Sequence, residues 1–507
     1  MPFYLSKSQY CTGISCPRAL WLKKNRPELS VAESSAIAEA GKKVGELARS
    51  MFGDYELVEF SPDKVAMAHE TRELLARGVR NICEASFIYE GLYCAVDILV
   101  NLGNNCVEVY EVKAESKPKG INYDDIAFQL YVLKKAGMKV KSVNLVTLNK
   151  EYVRHGELDL PELFRIYDVT AEAESRQISV GLNLQALEGI LSRGEPQDLC
   201  DGCAAKDCSY WEHCSEGLPV PNIFSINGNN LKKKMDYYRN GIVSYEDLLK
   251  LIDNKKDSKK GKDKGKEKVK RQIDVELSGE PYIDMNGIKE TLDRLSYPLY
   301  FLDFETFSEA IPPFDGISPY CQIPFQYSLH YVEERGGELK HEEFLGQPGE
   351  DPQRALAEKL CRDIPRNVCT TAYHASFEKD VIAKLAGKFE DLSEHLMSIH
   401  DHIEDLEIPF KNMYYLMPAM SGLSSIKLVL PALYPDDPEL DYHNLEDVHN
   451  GGEASASFFI MNDMAPEDVA RLRMNLLKYC GLDTLAMVKV WEKLDNAVYG
   501  ERELYKK

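Results

Sequence analysis

Cys94-Ala95-Val96-Asp97-Ile98-Leu99-Val100 is an apolar run with one carboxylate in its middle, and an unpaired buried carboxylate costs several kcal/mol. Something in the fold must answer it. Downstream, Val109-Tyr110-Glu111-Val112-Lys113 sets an acid and a base two residues apart, so on a strand both project from one face of the pleat. Segments 84–90, 92–101 and 106–114 are rich in β-branched and aromatic residues. Gly91 and Gly103-Asn104-Asn105 separate them, which predicts a β-meander carrying Asp97, Glu111 and Lys113 on neighbouring strands. Apolar periodicity predicts helices over 15–24, 35–52 and 66–80 before the meander. After it come a helix at 122–136 ending at Gly137, a strand at 140–148 and a helical stretch near 171–193. Two carboxylates on one face can hold Mg2+ or Mn2+, while a lysine orients an attacking water and offsets charge developing on phosphorus. That combination suits phosphodiester hydrolysis.

A second run, Tyr297-Pro298-Leu299-Tyr300-Phe301-Leu302, has the continuous apolar character of a buried central strand and leads into Asp303-Phe304-Glu305-Thr306. Again two acids share a face. In Lys478-Tyr479-Cys480-Gly481-Leu482-Asp483-Thr484, helical i, i+4 spacing sets the Tyr479 hydroxyl beside the Asp483 carboxylate. Between these halves, residues 216–250 look helical and polar. A mixed basic stretch follows from Asn254 through Lys255-Lys256-Asp257-Ser258-Lys259-Lys260-Gly261 to Arg271, which reads as a solvated tether. A chain of 507 residues holds several domains, and the expected division is 1–216, a helical and basic linker region 217–290, and 291–507, all α/β.

Cys200, Cys203, Cys208 and Cys214 fall within fifteen residues, a density that suggests metal ligation. Zinc on these four thiols is one account; buried free thiols are the plainer one. The other cysteines, Cys11, Cys83, Cys94, Cys106, Cys321, Cys361, Cys369 and Cys480, are scattered and read as core residues, with Cys16 set apart by its Cys-Pro-Arg context.

Asp97, Glu111-x-Lys113 and the following helix with Gln129 and Tyr131 resemble the PD-(D/E)XK nuclease superfamily, in its RecB-like branch. The resemblance implies a restriction-endonuclease-like fold, metal on Asp97 and Glu111, and catalytic roles for Lys113 and Gln129. Where that branch has Gly-x-x-x-His, this chain reads Gly41-Lys42-Lys43-Val44-Gly45, and Glu46 is expected to supply the third metal ligand instead. Its Gln-x-x-x-Tyr helix also departs, with Tyr131 at +2 and Leu133 at +4. Cys16-Pro17-Arg18-Ala19-Leu20-Trp21 resembles the helix start of CRISPR-associated RecB-like and AddB-type nucleases. This implies a 4Fe–4S cluster on Cys16, Cys203, Cys208 and Cys214, with Cys200 as the alternative to Cys203.

Asp303, Glu305, Tyr479 and Asp483 resemble the DnaQ-like DEDD 3′–5′ exonucleases of RNase H-like fold, in their tyrosine subclass. Tyr373-His374-Ala375-Ser376-Phe377-Glu378 stands where that family has Asn-x-x-Phe-Asp, so Glu378 is the expected fourth acid, with Asp401 and Asp405 as substitutes. Gly422-Leu423-Ser424-Ser425-Ile426-Lys427 resembles the segment that approaches substrate in these folds, or is simply a capped helix. Over nearly the whole chain the order resembles a bacterial family of fused nucleases.

The net charge of -21 repels nucleic acid at long range and argues against a passive DNA-coating protein, though not against an enzyme whose carboxylates hold metal. No apolar run reaches the ~18 residues that span a bilayer, and the expected location is the cytoplasm. The expected function is a metal-dependent deoxyribonuclease with two centres, acting on single-stranded DNA or DNA ends in repair, recombination or defence. The alternatives are RNA trimming, or a nucleic-acid-binding or assembly protein with one or both centres inactive.

Overall fold

The computed structural model describes residues 4–31, 35–200, 203, 207–228, 230–254 and 264–506. The chain divides into two compact units: 1–218 with 309–321, and 219–308 with 322–507. Both are α/β, each built on a mixed sheet. Among the described residues no helix is long and apolar enough to cross a membrane.

In the first unit the meander comprises β3 (Asn81–Tyr89), β4 (Leu92–Gly103) and β5 (Cys106–Lys113), after the short strands β1 (Leu5–Ser6) and β2 (Glu56–Leu57). Asn104 and Asn105 both adopt positive φ at the second turn, a conformation asparagine tolerates better than most residues. β6 (Lys139–Leu148) joins β5 in parallel, which requires a crossover, and helix α5 (Gly120–Lys135) supplies it. β7 (Phe164–Asp168), which the sequence reading omits, closes that edge. The β1 pair, Leu5 with Leu92 and Ser6 with Tyr93, anchors the N-terminal segment beside β4.

The helix expected at 15–24 is two helices, α1 (Lys7–Ser15) and α2 (Pro17–Asn25), because Cys16 takes an extended conformation between them and caps the second. Helices α3 (Ser35–Ser50) and α4 (Lys64–Ala76) follow. Apolar side chains of α1, α4, α5 and the sheet form one core around Tyr10, Phe128, Val96 and Leu145.

The second unit centres on β9 (Leu299–Phe307), which follows the short β8 (Tyr282–Ile283). β10 (Ile323–Val332) pairs antiparallel with β9; β11 is Gly337–Glu338, and β12 (Lys340–Leu345) pairs antiparallel with β10. On its other side β9 is parallel to β13 (Cys369–Ala372), which is parallel to β14 (Ile403–Asp405). Helix Ser376–Lys388 leaves the end of β13, and helix Pro466–Tyr499, 34 residues long, packs on β9 and β10. Residues 255–263 of the expected tether lie outside the described residues. From Lys264 the basic stretch is instead a helix, Lys264–Ser278, in which Ile273 and Gln272 are fully buried.

Candidate active sites

Asp97, on β4, and Glu111, on β5, face the same side of the first sheet, and the structure brings Lys113 and Gln129 to them. Lys113 Nζ donates to Glu111 Oε1 at 2.8 Å and to Asp125 Oδ2 at 2.6 Å, while Gln129 Nε2 donates to Glu111 Oε2 at 2.8 Å. Asp125 lies one helical turn before Gln129 on α5, so the helix that crosses between β5 and β6 delivers both. Asp97 Oδ2 accepts from the Val112 N–H at 2.7 Å. Lys7, at the start of α1, donates to Glu111 Oε1 at 2.7 Å and lies 3.7 Å from Asp97 Oδ1.

Burial and the neighbouring Glu111 push the Asp97 carboxyl up to about 7. Burial acts in the same direction on Glu111, but Lys113 and Lys7 outweigh it and hold that carboxyl down at about 2. Burial penalises the Lys113 ammonium, yet Glu111 and Asp125 keep it protonated well above the usual lysine range. The result is one charged carboxylate beside one that titrates near neutrality.

Glu46 is not part of this group. It lies on the exposed side of α3, 56% accessible and 3.9 Å from Lys42. α3 buries Val44 and Ala48, and the charged side chain it turns inward is Arg49, which donates to Glu84 at 2.5 Å. Glu84, at φ +55°, stands between the Cys83–Ile98 and Ala85–Val96 pairs, opposite Asp97 in an unbroken register, and its charge is felt at Asp97. A carboxylate within the apolar β3 segment is the signal for Glu84; nothing in the local pattern signals Lys7.

The cysteines of the first unit also converge. Cys16 takes a hydrogen bond from Cys200, which draws its thiol down to about 6. Burial raises Cys214 to about 11, with Cys208, Cys16 and Cys203 adding to the rise, so all lie within electrostatic reach. Cys16, Cys208 and Cys214 pack around Ala19, Leu22 and Tyr210. Arg18 ties α2 to the far segment, bonding Glu195 at 2.9 Å and the Gln197 carbonyl at 2.9 Å, and His213 meets the same Glu195 at 2.8 Å.

In the second unit Asp303, Glu305 and Asp483 each offer an oxygen within 4.8 Å of the others. β9 delivers the first two and helix Pro466–Tyr499 the third. That helix also brings Tyr479, whose hydroxyl bonds toward Glu305 and Asp483 and accepts from Lys427 Nζ at 2.9 Å. Tyr442 donates to Asp483 Oδ1 at 2.6 Å, and Cys480 Sγ lies 3.8 Å from Asp303 Oδ2. Glu378, in the first turn of helix Ser376–Lys388, is 3% exposed, and its Oε2 has no hydrogen-bond partner among the described residues.

Burial and mutual repulsion dominate here. Asp303 is pushed well above the usual carboxylate range by burial, then by Asp483, Glu305 and Glu378. Burial raises Glu305 and Glu378 to about 8 and Asp483 to about 6. Asp405 lies beside Glu378 but accepts from the His374 and Glu407 N–H groups, while Asp401 is exposed and meets His400. His374, at φ +68°, donates or accepts through Nδ1 with Glu407 Oε2 at 2.8 Å, and Ser424 holds Glu407 Oε1 at 2.7 Å. The stretch after Gly422 therefore braces the Glu378 segment through Ser424 and reaches Tyr479 through Lys427.

Two glycines near the second centre lie close to other side chains. A Cβ on Gly422, already at φ +69°, would stand 2.3 Å from the Gln272 side chain; one on Gly451 would stand 3.2 Å from Glu305 Oε2. Tyr442 and Gly451 escape sequence reading because they arrive from loops and short helices without periodicity, whereas Lys427 ends the stretch read from the sequence as resembling a substrate-approaching segment.

Residues 300–425 match the family described as "Domain of unknown function (DUF2779)". That span contains Asp303, Glu305 and Glu378 and stops short of Lys427, Tyr479 and Asp483. The chain is also similar to "Uncharacterized protein MG366 homolog" of Mycoplasma pneumoniae, 25% identical over 223 residues, and to "Uncharacterized protein MG366" of Mycoplasma genitalium, 24% identical over 223 residues. Each alignment covers 40% of this chain and 33% of the relative, so the chain spans about a third of the length of the curated relatives it matches.

Proposed function

We propose that this chain is a metal-dependent nuclease with two active centres, a PD-(D/E)XK-type centre in the first unit and a DnaQ-like 3′–5′ exonuclease centre of RNase H-like fold in the second. The observation that carries the reading is the second centre: three carboxylates with oxygens within 4.8 Å of one another, and a fourth, Glu378, buried with an orphaned oxygen. Such a donor set fits hard divalent cations, which take oxygen ligands and offset the burial, and the mutual repulsion at Asp303 and Glu305, that hold these carboxyls up. Asp303, Glu305 and Asp483 would hold Mg2+ or Mn2+, with Glu378 completing the set, and the ions would supply Lewis-acid stabilisation of charge on the phosphoryl oxygens.

The chain's own groups do the rest. Tyr479, its oxygen fixed by Lys427, orients a water toward phosphorus. As the water oxygen bonds to phosphorus, the bond to the 3′ oxygen breaks, releasing a nucleoside 5′-monophosphate and a new 3′-hydroxyl. In the first centre Asp97 and Glu111 are the metal-holding acids. Lys113, aligned by Asp125, stabilises the charge on the attacked phosphate, and Gln129 keeps Glu111 in register.

Five converging thiols in the first unit, one with a depressed pKa, suit a 4Fe–4S cluster on Cys16, Cys208, Cys214 and either Cys203 or Cys200. A cluster there would tie the N-terminal helices to the far end of the unit. Protein purified without oxygen is expected to be brown and to carry iron. A colourless preparation containing zinc would replace the cluster with a zinc site.

The substrate proposed is single-stranded DNA or DNA ends. End-labelled DNA and RNA strands digested with Mn2+ by wild type, Lys113→Ala, Asp303→Ala and the double mutant test both centres. Each single mutant is expected to lose a different product pattern and the double mutant to be inert; preference for RNA would reassign the substrate. An inert wild type would overturn the proposal.

A further inference from the structure

Each carboxylate of the first centre has one oxygen committed to a neutral donor. Asp97 Oδ2 takes the Val112 N–H at 2.7 Å, and Glu111 Oε2 takes the Gln129 amide at 2.8 Å. The other two oxygens both face Lys7 Nζ, 2.7 Å from Glu111 Oε1 and 3.7 Å from Asp97 Oδ1, and Lys113 Nζ shares Glu111 Oε1 at 2.8 Å. A divalent ion shared by those oxygens would need them at about 2.0–2.6 Å from itself, so it and the Lys7 ammonium compete for the same place.

The two lysines at Glu111 are not equivalent in this competition. Lys113 keeps a second anchor, Asp125 at 2.6 Å, whether or not Glu111 releases it. Lys7 has a long flexible stem and is 23% exposed. Its backbone is fixed nonetheless, by the pairing of Leu5 and Ser6 with β4 and by a capping box in which Ser6 accepts from Gln9 N at 3.3 Å and donates from its own N to Gln9 Oε1 at 3.2 Å. Beside it runs an open groove of about 470 Å³ between α1 and the start of α5, lined by Lys7, Ser8, Thr12, Lys113, Asn122 and Asp125. The groove offers an ammonium released from Glu111 the hydroxyls of Ser8 and Thr12 and the Asn122 amide, while the Asp125 carboxylate in its wall is taken up by Lys113.

We infer that Lys7 is a further functional residue of the first centre: the built-in counter-ion of Asp97 and Glu111, displaced when a divalent cation binds and then turned onto the phosphates of the substrate. The inference rests on the nuclease reading of this centre and makes metal loading and substrate capture one event. Without the divalent ion Lys7 stays on Glu111, and both lysines that line the groove are spent on carboxylates.

The test uses full-length protein carrying Asp303→Asn and Asp483→Asn, so that the second centre is silenced, with Mn2+ alone as probe and binding followed by loss of the free-ion EPR signal. Adding Lys7→Gln is expected to raise Mn2+ affinity roughly tenfold, because a competing charge is removed. Lys7→Arg should restore the parental affinity. Unchanged or weaker binding in Lys7→Gln, with a thermal midpoint like the parent's, overturns the role of Lys7. Adding Asp97→Asn and Glu111→Gln to the same parent tests the centre itself; if these bind Mn2+ as the parent does, the metal-centre reading fails independently of Lys7. In Lys113-dependent cleavage, Lys7→Gln should raise KM several-fold and change kcat less. A change confined to kcat contradicts substrate capture.

Discussion

The two acid centres are answered by charge in opposite ways. In the first, Asp97, Glu111 and Asp125 meet two ammonium groups, Lys7 and Lys113, at hydrogen-bond or ion-pair distance. In the second, Asp303, Glu305, Glu378 and Asp483 crowd together, and the cation beside them, Lys427, gives its hydrogen bond to the Tyr479 hydroxyl rather than to a carboxylate. The titration divides accordingly at the acid the lysines hold: Glu111 falls to about 2, although burial still carries Asp97 up to about 7, whereas burial raises Glu305 and Glu378 to about 8. A site that carries its own cations is a switch between internal and external charge. In the second site Lys427 is the cation that opposes the rise of Glu305 and Asp483, and under the nuclease reading ions from solution would supply the rest.

The sharpest way to break this comparison is to remove one acid from the crowded centre. Asp303→Asn is expected to cut 3′-end mononucleotide release by roughly 10³-fold, since metal-borne stabilisation is worth several kcal/mol. Cleavage that depends on Lys113 should persist, and a product ladder identical to wild type would dissolve the distinction between the centres. Next in size, Lys113→Ala should lower first-centre cleavage by roughly 10²- to 10³-fold in an end-label assay, as loss of a positioned charge does elsewhere.

Stability against pH sharpens the contrast further, because the sign for Glu111 opposes that for Glu305 and Glu378. Glu305 and Glu378 are raised, so their protonated forms favour the fold; that contribution is complete below the ordinary carboxyl range near ~4.5 and lost as pH climbs through about 8. Glu111 is lowered, so it stabilises above that range and loses its contribution as pH falls toward about 2. Thermal unfolding in EDTA should therefore show the second unit weakening between pH 6 and 8.5. Added Mg2+ should recover about 1–3 kcal/mol at the higher pH and less at the lower. Equal recovery at both would mean that the crowded acids are not the ion's partners. The smallest effect is expected from Gly451→Ala, whose Cβ 3.2 Å from Glu305 Oε2 forces a shift of a few tenths of an ångström. Exonuclease turnover should drop by roughly tenfold or less, with the thermal midpoint nearly unchanged.

Asp97, Glu111 and Lys113 are legible in the sequence because a carboxylate inside an apolar strand demands an answer, and the period of two places that answer on the next strand. Asp303, Glu305 and the Tyr479–Asp483 pair are legible for the same reasons of period. Glu46 shows the limit: a spacing borrowed from a resemblance selects a helix but not its face, and α3 turns Arg49 inward instead. Lys7 is separated from Glu111 by 104 residues, and only the β1–β4 pairing brings it there. Asp125 is concealed as one more helical acid until Lys113 is seen bonded to it, whereas Glu84, a carboxylate within an apolar strand segment, carries the same signal as Asp97.

The return of residues 309–321 to the first unit is equally invisible to periodicity. There Arg154 bonds the Pro312 and Pro313 carbonyls at 3.0 Å, and the Tyr320 hydroxyl bonds the Ala114 carbonyl, next to Lys113. The polypeptide thus passes between units at 218/219, 308/309 and 321/322. No single proteolytic nick or stop codon can separate the two units cleanly. A fragment beginning near residue 291 would carry thirteen residues with no surface to rest on, and a fragment ending near 216 would lack the cover over the loop that follows Lys113. Genetic fusion, fission or circular permutation of this molecule has to respect that interleaving, and the two units must be inherited as one piece.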